Sequence, residues 1–500
     1  MKKHNILTPF VFASAMLLAA CGGNQTTSTP APTSSETPDP VSSSVDEGPL
    51  IKEATEIQIW STFNADYQAI LDNVVNDLKK EEPNLTVTIT KQSTGYDGLH
   101  DMVLEGFPAN NYPDITVAYP DSVADYLDYG KALNMEDYMY NDTYGWTEDD
   151  LDDIPTGYLD EGRNYSVMGT YSLPLAKSTE ALYYNEDILI GLDLKSIDAE
   201  INEGEPIDAD YMDNLTWEEL FNHLAPALIK YNDVDDKHAI FDKSTYPDTW
   251  SVLGYDSDSN LFITLAEQYG YGYTSLNKTT GEGSIDFVND GMKSLMKTLR
   301  SAKDNHYIQT QGTFGTYTNY GFTTGAMLMT IGSTGGVSYQ FSSSNPMNVG
   351  VAHIPHAAGK DPKVIQQGPS FAFLDHQDSN RALGSWLFYK KFATAKYSSQ
   401  WTLATGYMPL RYSVGETADY QAYCDYKSKA DQTKDRLLAL NACYTVEAFS
   451  DFYSSPVFKG SSAARTYAGS LLTDCLTKAD LDANIDELFE TAKNNVLAKM

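Results

Sequence analysis

Residues 56–90 read EIQIWSTFNADYQAILDNVVNDLKKEEPNLTVTIT. Two periodicities follow one another in this stretch. Residues 56–60 (EIQIW) alternate, as a half-buried strand does. Tyr67, Ile70, Leu71, Val74, Val75 and Leu78 then recur at three- and four-residue spacing, which gathers them on one helix face. Pro83 and Asn84 end that helix, because proline lacks an amide hydrogen and its ring crowds the preceding turn. Residues 85–90 (LTVTIT) alternate again. The same reading predicts a second helix near 97–106, a third strand over 114–119 (DITVAY) and a third helix over 121–129. Strands alternating with helices imply parallel strands joined by right-handed crossovers. Ligands of such sheets bind beyond the carboxyl ends of the strands, which directs attention to the loops 61–66, 91–97 and 119–122.

Further along, residues 173–185 (LPLAKSTEALYYN) open a new unit. A helix is predicted over 216–230, with Thr216 as its N-cap ahead of Glu219. The acidic insert 196–214 reads as a surface loop. A Gly-rich entry leads into an apolar run at 321–331 (GFTTGAMLMTI), which breaks at residues 332–336 (GSTGG). Strand signals recur at 348–354 and 370–374. The last part of the chain is mostly helical, with a capped amphipathic end near 477–498, and no internal repeat is visible.

The amino terminus has a different character. Lys2 and Lys3 precede a mostly apolar run from Ile6 to Ala20, too short and interrupted for an ordinary membrane span. Leu18-Ala19-Ala20-Cys21-Gly22 then looks like the lipobox of bacterial lipoproteins, with Cys21 as the first, lipid-bearing residue of the mature chain. The plainer alternative is a secretory signal that happens to end near a cysteine. Residues 24–49 are dominated by Ser, Thr and Pro, a composition that cannot bury enough apolar surface to offset its ordering entropy. Residues 21–53 therefore read as a disordered tether, with a reach of roughly 30 Å. The body that follows exceeds one hydrophobic core, so two lobes are expected. A net charge of −35 argues against nucleic acid and anionic membrane patches as partners. Cys424, Cys443 and Cys475 show no metal-ligand spacing; a Cys424–Cys443 disulfide and free thiols both remain open.

The chain has no HExxH, no CxxC pair and no P-loop. Asp256, Asp258, Asn260 and Glu267 imitate a calcium loop, but Leu261 stands where that loop needs glycine, and 256–260 reads better as the cap of a helix over 261–269. His353 and His356 flank Pro355 without an obvious third ligand. Glu180, Glu186 and Asp187 would suit a glycosidase only at a defined separation that sequence does not fix. Gly332 to Gly336 reads either as a phosphate cradle or as a tight turn at a domain crossing. No catalytic residue, metal site or cofactor is assigned.

Four segments carry a family resemblance: 113–122 (PDITVAYPDS), 173–185, 325–336 (GAMLMTIGSTGG) and 405–411 (TGYMPLR). In order and spacing they resemble the extracellular solute-binding protein family 1 of ABC transporters over roughly 54–498. The likeness is greatest to the branch that binds glycerol-3-phosphate and oligosaccharides. The resemblance implies an α/β fold of two Rossmann-like lobes joined by a hinge, of the periplasmic-binding-protein type II, maltose-binding-protein-like kind. It implies an N-lobe of 54–175 with 326–375 and a C-lobe of 176–325 with 376–500. Matched motif by motif, the ligand contacts of the glycerol-phosphate binder fall on Tyr96, Asp121, Ser178, Ser333, Gly368 and Tyr407. That binder has an arginine where this chain has Ser462, which puts phosphate recognition in doubt. Lys177, Lys459 and Arg465 are the candidate replacements.

A sugar offers hydroxyls at its edges and apolar faces, so hydrogen-bonding side chains and aromatic rings suit it. Phe63, Asn64, Thr179, Tyr246, Trp250 and Thr334 complete the candidate set. Each also has a structural reading. Asp121 would be the N-cap of its helix, and Ser178, Thr179, Ser333 and Thr334 parts of the crossings. Tyr246 and Trp250 would belong to the core, and Arg411 to a surface pair. The expected whole is a monomeric, non-enzymatic lipoprotein on the extracellular face of a membrane, held by lipid (palmitate) on Cys21. It would pass a carbohydrate to the permease subunits of an ABC importer. Glycerol-3-phosphate or its diesters are the alternative ligand, and a surface glycosidase or an adhesin the alternative function.

Overall fold

The computed structural model describes residues 48–92, 95–234, 237–425, 433–447 and 451–500. The predicted signal peptide, Cys21 and the tether as far as residue 47 lie outside the described residues. Residues 48–500 form one compact unit. It begins earlier than the predicted boundary at 54: the amides of Leu50 and Ile51 donate to the Glu82 carboxylate at 2.8 and 2.9 Å, and Ile51 is fully buried.

Two five-stranded sheets organise the unit. In the first, the order is Leu85–Lys91, Thr55–Ser61, Ile115–Ala118, Ser370–Phe373, Ser172–Pro174. Its first three strands are parallel, as the opening periodicity requires, and Ser370–Phe373 runs antiparallel to both of its neighbours. In the second, the order is Val349–Ala352, Glu180–Asn185, Met327–Ser333, Ser251–Tyr255, Ile308–Thr310. Each sheet has its own core. Ile59, Leu71, Val74, Val117, Phe371, Trp386 and Trp401 are buried in the first. Leu182, Leu253, Phe262, Met329, Leu472 and Phe489 are buried in the second.

The lobes are α/β, as expected, but their boundaries differ. Met327–Ser333 and Val349–Ala352 pair within the second sheet, so of the segment 326–375 only the part around Ser370–Phe373 joins the first. The helices Ser379–Phe392 and Ala395–Thr405 pack on the first core; Ser461–Thr477 and Leu481–Leu497 pack on the second. The reason is physical: Met327–Ile331 is buried on both faces, and such a run fits the middle of either sheet. The insert 196–214 is likewise more than a loop, since Ile201, Ile207 and Met212 anchor it to the second core. Cys424 and Cys443 are half-buried thiols and Cys475 is a buried one. Arg411 is buried rather than superficial, bonded to the Ala393 carbonyl and paired with Asp150 and Asp153.

The sheets are joined by paired strands of chain. Residues 176–178 run beside 367–369 in antiparallel fashion. The Ala176 amide donates to the Pro369 carbonyl at 3.1 Å, and Ser178 and Gln367 exchange bonds of 3.0 and 2.8 Å. A third strand of chain joins there, the Met408 amide donating to the Lys177 carbonyl at 2.8 Å. A fourth passes at Val457 and Phe458, consecutive residues buried in different cores.

Asp114 ties the first sheet to its covering helix. It is 2 % exposed, accepts from the Gln58 amide at 2.8 Å and holds Arg381 bidentately at 2.7 and 2.8 Å. Removing one partner of such a pair strands the other charge. Asp114→Ala is expected to cost about 3 kcal/mol in urea denaturation, whereas the exposed Asp142→Ala leaves the midpoint unchanged.

Candidate functional site

Two neighbouring cavities lie along the junction of the lobes, and both are lined by Gln367 and Arg465. The smaller, about 360 Å³, has walls from both lobes. The first lobe supplies Tyr96, Tyr119, Asp121 and Glu161; the second supplies Tyr273, Ser461 and Arg465; Gln366 to Gly368 run along the crossing. The loops after the second and third strands of the first sheet place Tyr96 and Asp121, which is the topological expectation for such a sheet. Tyr96 and Tyr119 meet edge to face at 5.2 Å. Burial pushes both phenols up, Tyr119 to about 12.

Asp121 does not cap its helix. Tyr119 occupies the N-cap position and Pro120 the first turn. The Ser461 hydroxyl instead donates to Asp121 at 2.6 Å, across the cavity from the first lobe to the second. Burial raises the Asp121 carboxyl, and the Ser461 bond and the Arg465 charge oppose that rise. Glu161 is held by Lys177, by the Gln366 amide at 3.0 Å and by Ser370 at 3.3 Å. Lys177 is fully buried and also donates to the Gly368 carbonyl at 3.0 Å. Burial lowers its ammonium, and Glu161 works against that. Gly368 has φ +94°, and a β-carbon there would stand 2.0 Å from the Ala176 carbonyl oxygen. Only glycine fits this turn of the crossing.

The larger cavity, about 610 Å³, belongs almost wholly to the second lobe. Glu180, Asp256, Asn260, Ser333 and Gln340 line it, together with Tyr317, Tyr320 and Tyr339. Glu180 accepts from the Tyr255 hydroxyl and from the Asn260 amide at 2.7 Å; burial pushes its carboxyl up to about 7. Asp256 accepts from the Thr318 hydroxyl at 2.7 Å and is also raised by burial. Asn260 links the two cavities, because Arg465 donates to its side-chain oxygen. Arg465 forms no ion pair within 4 Å among the described residues, yet its charge lowers both Asp121 and Glu180.

The candidate residues from sequence thus separate into groups. Tyr96, Asp121 and Gly368 line the smaller cavity, and Ser333 the larger. Tyr407 hydrogen-bonds with Tyr96 and packs against Gly335. Ser178 and Thr179 are buried on the first crossing strand, and Thr334 is buried beside it at the end of a second-sheet strand rather than on a crossing: the Thr179 amide donates to the Thr334 hydroxyl at 3.1 Å, and the Thr179 hydroxyl donates to the Ile365 carbonyl at 3.0 Å. Asn64 caps the helix Ala65–Glu81 and lines a separate hollow beside Gly335. Three aromatic candidates sit away from both cavities. Phe63 packs edge-on against Trp401 in the first core, Tyr246 lies against Phe314, and Trp250 stacks on His306 under Lys243. Apolar rings beside a sheet are simply worth more in its core.

Sequence reading missed Glu161, Tyr119, Tyr273, Asp256 and Asn260, and also Tyr317, Tyr320 and Tyr339. Tyr317 and Tyr320 left a faint signal: residues 315–321 (GTYTNYG) place both in a polar, Gly-flanked stretch without apolar periodicity. The alternative carboxylate motifs dissolve. Glu186 pairs with Arg436 and Asp187 holds Asn348, each apart from Glu180. Asp258 is occupied by Thr310, Gly312 and Thr473, which excludes it from a calcium loop. His353 bonds Asp213 at 2.9 Å. Among the described residues no cluster of three or more metal-ligating side chains occurs, and no helix is long and apolar enough to cross a membrane.

Residues 73–428 match the family model of bacterial extracellular solute-binding proteins, and the chain belongs to that family. No curated protein gives a significant match. Several solved structures share the fold. The cyclic alpha-maltosyl-1,6-maltose binding protein from Arthrobacter globiformis is 15% identical, with a TM-score of 0.63 over 90% of this chain and 99% of that one. UgpB from Mycobacterium tuberculosis, solved with glycerophosphocholine, is 16% identical, with a TM-score of 0.62 over 89% and 98%. The maltodextrin-binding domain MalE from Bdellovibrio bacteriovorus, solved with maltotriose, is 14% identical, with a TM-score of 0.57 over 89% and 99%.

Glu180 gives the site a pH signature. Its carboxyl ordinarily titrates near 4.5 and is held to about 7 in the fold. Between those values the folded state keeps a proton that the unfolded chain has lost. The contribution is therefore full below about pH 4.5 and falls as pH rises to about 7. The total loss is up to about 3 kcal/mol. Urea titrations at about pH 5 and about pH 8 are expected to show a shallower decline for Glu180→Gln than for the wild type; parallel declines would refute the assignment.

Proposed function

We propose, from membership of the extracellular solute-binding proteins, that this chain captures a carbohydrate between its two lobes. It then presents the closed complex to the permease subunits of an ABC importer. The observation that carries the reading is the smaller cavity. Both lobes contribute tyrosine rings and hydrogen-bonding side chains to one half-open space at the crossing. Rings suit the apolar faces of a sugar, and carboxylates, amides and hydroxyls suit its edges. A ligand that touches both walls binds the closed arrangement better than the open one, and that difference drives closure about the crossing. The protein itself makes and breaks no covalent bond.

One observation favours a second ligand. Arg465 faces both cavities and has no carboxylate partner within 4 Å among the described residues, so it can meet a phosphate where the expected arginine at Ser462 is missing. A glycerophosphodiester is therefore the runner-up. Lys177 is no substitute, being buried against Glu161. The lipobox at Cys21 supports anchoring of the chain by lipid on the outer face of a membrane.

Thermal denaturation with maltodextrins, other oligosaccharides, monosaccharides, glycerol-3-phosphate and glycerophosphocholine tests the ligand. A ligand at about 100 times its Kd stabilises by about 3 kcal/mol. A saccharide is expected to raise the melting temperature, and Asp121→Ala to weaken that rise. A rise with glycerophosphocholine alone, abolished in Arg465→Ala, would replace the carbohydrate reading with the phosphodiester one. Cys21→Ala is expected to shift the protein from the membrane fraction to the medium; unchanged membrane retention would overturn the lipid anchor.

A further inference from the structure

Of the six contacts suggested by family resemblance, Tyr96, Asp121 and Gly368 lie in the smaller cavity and Ser333 in the larger, while Ser178 and Tyr407 line neither. Beyond Ser333, the larger one has no assigned role. Its construction is specific. Apart from Gln367 on the crossing, every residue lining it belongs to the second lobe, so its shape does not depend on closure. Three tyrosines lie in its wall and are still strongly exposed: Tyr317 at 55%, Tyr320 at 53% and Tyr339 at 71%. A group of exposed rings inside a concave surface contributes little to folding and marks a place where apolar faces are received.

The polar groups around those rings narrow the chemistry. Asp256 and Glu180 offer acceptors, and burial raises both carboxyls. Among the described residues no lysine or histidine lines this cavity. Its one cation, Arg465, stands where it meets the smaller cavity. Acceptor groups beside aromatic faces suit hydroxyl donors on an apolar ring and disfavour an anion. Cavities of about 610 and about 360 Å³ are each within the size range of small-molecule sites.

We propose that the larger cavity is a second saccharide subsite, stacked on Tyr317, Tyr320 and Tyr339. The ligand is then a neutral oligosaccharide whose chain passes Gln367 and Arg465, with units in both cavities. This rests on the carbohydrate reading above and extends it to a ligand too long for one cavity.

Calorimetric titration of the intact protein in detergent, with ladders of one to four units from α-1,4-, α-1,6-, β-1,3- and β-1,4-linked neutral oligosaccharides, tests it. Affinity is expected to rise about tenfold or more between one unit and the best longer ligand. The double variant Tyr317→Ala, Tyr339→Ala is expected to weaken that ligand about tenfold, whereas Tyr339→Phe, which keeps the ring, stays within about twofold. Because these side chains are exposed, an unchanged melting temperature without ligand confirms an intact fold. If saccharides bind with no gain in length, or the double variant binds within about twofold of wild type, the second subsite is wrong and the carbohydrate reading stands. If no saccharide of the ladders binds, both fall together.

Discussion

A fully buried ammonium sits at the point where the two lobes join, and the arrangement around it follows from the need to satisfy that charge. Lys177 lies on the first crossing strand. It is met by the Glu161 carboxylate from the first lobe and by the Gly368 carbonyl from the second crossing strand. An unpaired charge there would cost several kcal/mol, so the three pieces of chain are held in one register. Gly368 must turn with a positive φ to aim its carbonyl at Lys177, and the Ala176 carbonyl leaves no room for a side chain. Glu161 is further fixed by Gln366 and Ser370, and it also lines the smaller cavity. The group that neutralises the crossing is therefore part of the wall of the candidate site. Changes of lobe angle and changes within the cavity act on the same carboxylate.

The alternation of strand and helix in the first third of the chain was legible, because one face of each element is buried and the period shows it. Ile57, Ile59, Leu71, Val74 and Leu78 are buried as their spacing demands. The first crossing was legible as the family-like segment 173–185, but its partner strand is 366–369 and not the expected 325–336, which lies inside the second sheet. The division of the later chain was not. Met327–Ile331 is buried on every residue and carries no facial signal, and Trp386 and Leu472 look equally apolar although they serve different cores. Aromatic residues show the same limit. Trp250 and Tyr339 are both large rings in loop-like sequence, yet one stacks beneath a lysine against the core and the other projects into a cavity. The distinction depends on what the fold brings opposite them, which is a long-range fact.

The charge of the cleft follows a related logic. In a chain of net charge −35, further carboxylates are easily gathered, and burial makes them costly to ionise. Asp121, Glu180 and Asp256 are all raised for that reason, and Arg465 is the cation that reaches the first two. Its helix, Ser461–Thr477, starts with the serine that bonds Asp121 across the cavity. One turn later it presents the arginine, which holds Asn260 and through it Glu180. A single helix end thus connects a carboxylate of the first lobe to one of the second. A ligand bonded to Arg465 would enter this chain of contacts at its middle, where it competes with neither crossing strand. Asp121 and Ser461 thus join the lobes on the cavity side, and the Glu161–Lys177 pair joins them at the crossing.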